Sequence, residues 1–175
     1  MSVPFDPERD RQIVNHPVTP VEPVRIAEGR PMLLAGLRRV HSFAEAQRGI
    51  PAQWEALQQL GTIPGQVGTT AYGVICSGDA QAQTMEYMAG VEVAAFEGLS
   101  AELGRVRVTP QTYAVFVHQG HVSSLHTTWD AIWNDWLPRS GRQTAHAPDF
   151  EVYDERFDSK TGSGEIEIWV PIQAG

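Results

Sequence analysis

Apolar and polar positions alternate with period two along residues 150–157 and again along residues 165–172, and the stretch 158–164 between them is rich in turn formers. This pattern predicts a C-terminal β-hairpin. On its first arm Glu151, Tyr153 and Glu155 share a face; on its second, Glu165, Glu167 and Trp169 share one face and Ile166, Ile168 and Val170 the other. The branched aliphatic face predicts core. The acidic and aromatic positions are read as an enclosed binding surface, although glutamates alternating with apolar residues also describe the solvent side of an antiparallel sheet.

The remaining elements follow from the same patterning. Residues 24–26 and 32–40 predict a strand or strand pair split at Gly29, Arg30 and Pro31. Ile50, Trp54 and Leu57 recur at helical spacing, with Pro51 suited to the first turn and Gly61 to the stop. Residues 69–76 and 85–96 predict two strands joined at Ser77, Gly78 and Asp79. Residues 106–118 predict a strand broken near Pro110. An apolar stripe of Leu125, Trp129, Ile132, Trp133 and Trp136 then predicts a helix, capped by Ser123 or Ser124 and ended at Leu137 by Pro138. Trp129, Trp133 and Trp136 on one helical face suit a core, and one of them can also border a cleft.

The order strand–helix–strand–strand occurs twice. Pro31 and Pro110, Trp54 and Trp133, Glu86 and Glu165, and Val91 and Val170 are each 79 residues apart. The expected fold is therefore α+β: two pseudo-symmetric β-α-β-β modules, about 23–97 and 105–175, with antiparallel sheets and a central ligand cleft. Residues 1–22, with Pro4, Pro7, Pro17 and Pro20, predict an extended arm ahead of a domain spanning 23–175. The helices are expected on one sheet face and the cleft on the other. At the 79-residue offset Tyr72 falls on Glu151 and Met88 on Glu167, so the expected lining is Tyr72, Val74 and Met88 from the first module and Glu151, Tyr153, Glu167 and Trp169 from the second.

Composition narrows the function. With 42% hydrophobic and 19% charged residues the chain can build a core, and its net charge of -8 disfavours direct nucleic-acid binding and attracts organic cations. A single cysteine, Cys76, fits a reducing cytoplasm and a small core residue. No apolar run is long enough for a membrane span, and no secretory signal opens the chain.

The residues 112–120 (TYAVFVHQG), 128–133 (TWDAIW), 136–141 (WLPRSG), 150–153 (FEVY) and 167–172 (EIWVPI) together resemble the gyrase-inhibitor-like effector-binding family, over about residues 24–175. In that family the ligand domain occurs alone or attached to AraC- and MerR-type transcription regulators. The resemblance implies two β-α-β-β modules around a pocket for small, often cationic and aromatic, molecules. It also implies a pocket-base glutamate on the penultimate strand, matched here by Glu151, and an acidic or aromatic pair on the last strand, matched by Glu167 and Trp169. Residues 1–22 are too short and proline-rich for a helix-turn-helix, so a stand-alone binder or separate ligand domain is expected.

The ligand set read from these arguments is Glu151, Tyr153, Glu167, Trp169, Tyr72, Met88 and Trp133, with Glu151 as counter-charge to a lipophilic cation. Two alternatives remain. Some members of the resembled family hydrolyse strained cyclopropane-bearing natural products, and Glu151 would then be the base. An acidic protein-interaction module, inhibiting a partner such as a topoisomerase, is the other, and a protein partner or homodimer stays open. No cofactor is expected. His118, His121 and His126 lie close in sequence, but their directions are uncontrolled and no cysteine or acidic cluster accompanies them, so no metal is expected; His118 suits a strand-to-helix turn instead.

Overall fold

A computed structural model describes residues 20–173; the expected N-terminal arm, but for its last three residues, lies outside them. Along the chain come β1 (Arg25–Glu28), β2 (Met32–Ser42), α1 (Ala46–Leu60), β3 (Gln66–Asp79), β4 (Thr84–Val93), β5 (Gly104–Val108) and β6 (Thr112–His121). Then follow α2 (Leu125–Ala131), a π-helical turn (Ile132–Trp136), α3 (Leu137–Ser140), β7 (Asp149–Tyr153), β8 (Phe157–Asp158) and β9 (Ser163–Ile172). All strands join one antiparallel sheet in the order β1-β6-β9-β7-β3-β4-β2-β5, with β8 on β9.

This order is a palindrome. The first, third and second strands of one module (β6, β9, β7) meet the second, third and first of the other (β3, β4, β2), so a pseudo-two-fold passes between β7 and β3. Each module's outermost strand comes from the other half: β1 precedes the first module but pairs with β6, and β5 pairs with β2. The single broken strand expected over residues 106–118 is thus two strands near opposite ends of the sheet. They are joined only by Thr109, Pro110 and Gln111, a link that reaches about 14 Å. The six strand steps between β5 and β6 would span roughly 29 Å in a flat sheet, so the sheet curls into a half-barrel. Its inner face packs Leu34, Tyr72, Val74, Met88, Tyr113, Val115 and Phe150 into one core cluster.

The helices cover the other face. Leu57 of α1 packs with Ala35, Tyr87, Ala89 and Val91, and Leu125, Ile132 and Trp136 pack with Phe116, Ile166, Ile168 and Val170. Helix α1 starts ahead of Pro51, because the Arg48 and Gly49 N–H groups already donate to the Glu45 carbonyl at 3.0 and 2.8 Å; the proline lies inside the helix, not in its first turn. The second helix also runs past its expected end. The Leu137 N–H donates to the carbonyl of Ile132, five residues back, and the helical ladder then restarts with Pro138 near its new beginning, where a missing N–H costs little. Gly141, at φ 71°, closes it in the left-handed conformation.

Candidate functional site

Glu151 lies on the strand beside the pseudo-two-fold and pairs with Gly73 across it. Its side chain is 5% exposed. Oε1 accepts hydroxyl hydrogen bonds from Tyr87 and Tyr153, both at 2.8 Å, and Oε2 accepts from the Trp129 indole at 2.9 Å. The Tyr87 hydroxyl in turn accepts from the Trp54 indole at 3.0 Å. Trp54 also meets the Tyr153 ring edge-on at 5.0 Å. One residue from each of α1, β4, α2 and β7 thus surrounds the carboxylate. No salt bridge reaches it among the described residues, and the hydrogen bonds come from neutral groups.

Burial pushes the Glu151 carboxyl above its usual range, against the three hydrogen bonds, which favour its charged form. The same burial, with the carboxylate alongside, raises the Tyr87 and Tyr153 phenols well above theirs. The site has room because Gly73 has no side chain: a Cβ there would collide with the Tyr87 hydroxyl and the Glu151 carboxylate.

The structure divides the expected ligand set between the two sheet faces. Glu151 pairs with Ile168, and Val152 with Glu167. Glu151 and Tyr153 therefore face the helices, while Glu167, Trp169, Tyr72 and Met88 turn to the inner face of the half-barrel. The expected cleft on the helix-free face, lined by both groups together, is corrected: that face is packed core. Glu151 parts from Glu167 through the β7–β9 register, and Tyr72 parts from Glu151 through a one-residue shift between the modules. Gly90 and Trp169 are 79 apart, but their partners Tyr72 and Phe150 are 78 apart. At that offset Gly73, not Tyr72, is the counterpart of Glu151. Such a slip moves every side chain to the other face.

Glu167 has its own compensation. Both Arg25 guanidinium nitrogens donate to it at 3.0 and 3.1 Å, the Trp169 indole at 3.0 Å, and Arg156 stands 3.4 Å away. Burial would raise its carboxyl, but these partners hold it below the usual range. Arg25 also lies over the Trp169 ring at 5.4 Å, so the pair ties β1 across β6 to β9. Trp133 is on the helix side and 38% exposed.

Sequence reasoning did not place Trp54, Tyr87, Trp129 or Gly73 at the carboxylate. His118 shapes the turn as expected: its Nδ1 is 2.7 Å from Thr128 Oγ1 and its Nε2 3.0 Å from the His121 carbonyl. Among the described residues no cluster of three or more His, Cys, Asp or Glu could hold a metal ion, and no helix is long and apolar enough to cross a membrane. Burial lifts the Cys76 thiol to about 11, which favours its protonated form at neutral pH. A surface groove of about 420 Å³ lies elsewhere, between Pro31, Met32, Val67, Glu92, Arg107 and Pro110. Its one carboxylate, Glu92, is already held by Arg30 at 2.6 and 2.8 Å.

This curled α+β sheet, with a carboxylate sealed under aromatic side chains, defines a small-molecule-binding class of domain. The chain belongs to the GyrI-like small molecule binding domain family, whose model matches residues 22–173. It is similar to the transcriptional regulator BrlR of Pseudomonas aeruginosa, 35% identical over 89 residues, which are 49% of this chain and 32% of that protein. The match therefore spans about a third of the regulator. In fold it is similar to SAV2435 bound to tetraphenylphosphonium, with a TM-score of 0.67 at 19% identity, over 86% of this chain and 93% of that one. It is likewise similar to the EcmrR C-terminal domain, with a TM-score of 0.62 at 15% identity, over 86% and 97%.

Proposed function

We propose that this chain binds a lipophilic organic cation on the helix side of its sheet, with Glu151 as counter-charge and Trp54, Trp129 and Tyr153 as walls. The observation that carries this reading is a carboxylate 5% exposed with only neutral partners. Such a charge is costly to bury. A cation that pairs with the carboxylate and stacks on the indoles relieves that cost, each aromatic contact adding about 0.5–2 kcal/mol. The hydrogen bonds keep the charge ready, since the two tyrosines and Trp129 all donate to the ionised form. They also occupy both oxygens, which suits a fixed counter-charge better than a base that must take a proton from water.

The complex of the similarly folded SAV2435 with tetraphenylphosphonium supplies a probe. Calorimetric titration of tetraphenylphosphonium into the protein and its Glu151→Gln variant is expected to show affinity falling about 10- to 100-fold in the variant, the weight of one charge-assisted contact. Equal affinities would overturn the role of Glu151. A variant with an unchanged melting profile separates lost binding from lost folding.

A further inference from the structure

Asp149 and Trp133 have no part in the hydrogen-bond network of Glu151. Asp149 stands two residues before Glu151 on β7, so both carboxylates project from one face with Cα atoms about 7 Å apart. Its strand neighbour across the pseudo-two-fold is Ile75. Burial, opposed by its own backbone hydrogen bond and reinforced by the Glu151 charge, pushes its carboxyl up to about 7; no side chain or cation relieves it among the described residues. Trp133 sits in the π-helical turn, 38% exposed, with no hydrogen bond or ring partner for its indole among the described residues.

The internal symmetry brings these two to the same side. Trp133 is the counterpart of Trp54 at the 79-residue offset. Trp54 touches Tyr153, and the counterpart of Tyr153 at the 78-residue offset of β3 and β7 is Ile75, the neighbour of Asp149. Gln53 and Ile132, and Leu57 and Trp136, are buried at the same 79-residue offset, so the operation that relates Trp54 to Tyr153 maps Trp133 toward the Ile75–Asp149 side. A free indole face and an unpaired carboxylate are the two halves of a second cation subsite.

We propose that the site takes organic dications, one positive centre against Glu151 and the second against Asp149 beneath Trp133, with the centres roughly 5–7 Å apart. This rests on the reading of Glu151 as counter-charge. Singly charged ligands fill the first subsite alone.

Ethidium and propidium test it, since they share a phenanthridinium ring and propidium adds a quaternary ammonium on a three-carbon tether. Both dyes are titrated by fluorescence at pH 8, where Asp149 is ionised, into the unmodified protein, Asp149→Asn and Trp133→Ala. The unmodified protein is expected to prefer propidium by about tenfold, one charge-assisted contact. Asp149→Asn is expected to remove that preference while ethidium affinity stays within about twofold, and Trp133→Ala to weaken propidium more than ethidium. Equal losses for both dyes, or undiminished propidium binding in Asp149→Asn, would overturn the second subsite. If tetraphenylphosphonium binds in a Glu151-dependent way while propidium shows no advantage, the dication proposal fails and the cation reading stands. If no cation binds, both fail.

Discussion

Gly73 and Glu151 meet almost on the pseudo-two-fold, and symmetry makes each the other's counterpart. Two glutamates there would place two buried carboxylates in contact; a glycine gives up its side chain so that one can exist. The expected result of Gly73→Ala follows from the collision of its Cβ with the Tyr87 hydroxyl and the Glu151 carboxylate. Overpacking of this kind costs about 1–3 kcal/mol. Calorimetry should show a lowered melting temperature, and tetraphenylphosphonium titration a weaker complex. Asp149 carries a pH signature of its own. Its carboxyl is raised in the folded chain from 3.8 to about 7, first by burial, with Glu151 the neighbouring charge that reinforces the shift. The folded state thus holds a proton that the unfolded state releases. That stabilisation is complete below the unfolded value and is lost as pH rises through about 7. Melting temperatures measured from pH 4 to 8 should fall along this window, and Asp149→Asn should flatten the decline.

At the scale of elements, α1 carries one fully buried polar side chain that ties it to the sheet backbone. Gln53 is 0% exposed. Its amide donates to the carbonyls of Leu37 on β2 and Tyr87 on β4, at 2.6 and 2.8 Å, while its oxygen lies 2.6 Å from His41 Nε2. The next residue is Trp54, whose indole supports Tyr87 and through it Glu151. Gln53→Leu keeps the volume and removes the donors, so a loss of about 2 kcal/mol or more in urea unfolding is expected. Most elements were legible because alternation and helical spacing mark strands and helices directly. The two-module arrangement was legible because Trp54 and Trp133, like Val91 and Val170, keep a constant separation. What was not legible is register. Nothing in the apolar pattern announces that β3 and β7 are offset by 78 residues while β4 and β9 are offset by 79, yet that difference moves Tyr72 away from Glu151. Periodicity also puts Trp54 and Trp129 on buried stripes without saying that the Trp129 indole donates to Glu151 and the Trp54 indole to the Tyr87 hydroxyl. The π-helical turn likewise depends on hydrogen-bond partners that spacing alone does not reveal.

At the scale of the whole molecule, the curl divides the labour between two faces. The inner one, with Phe150 and Trp169 stacked at 5.5 Å and Tyr113 edge-on to both at 5.4 Å, is a packed interior. The outer one keeps the Glu151 carboxylate and its indole and phenol partners beneath the two helices. The exchanged flanking strands have a further consequence. Cutting the backbone anywhere in residues 94–103 would leave each fragment wearing the border strand of its sibling, so neither could complete a sheet alone. The two halves behave as partners in a handshake: their union is written into strand pairing, and the segment between them adds the packing of Phe96, Leu99 and Leu103 under α1.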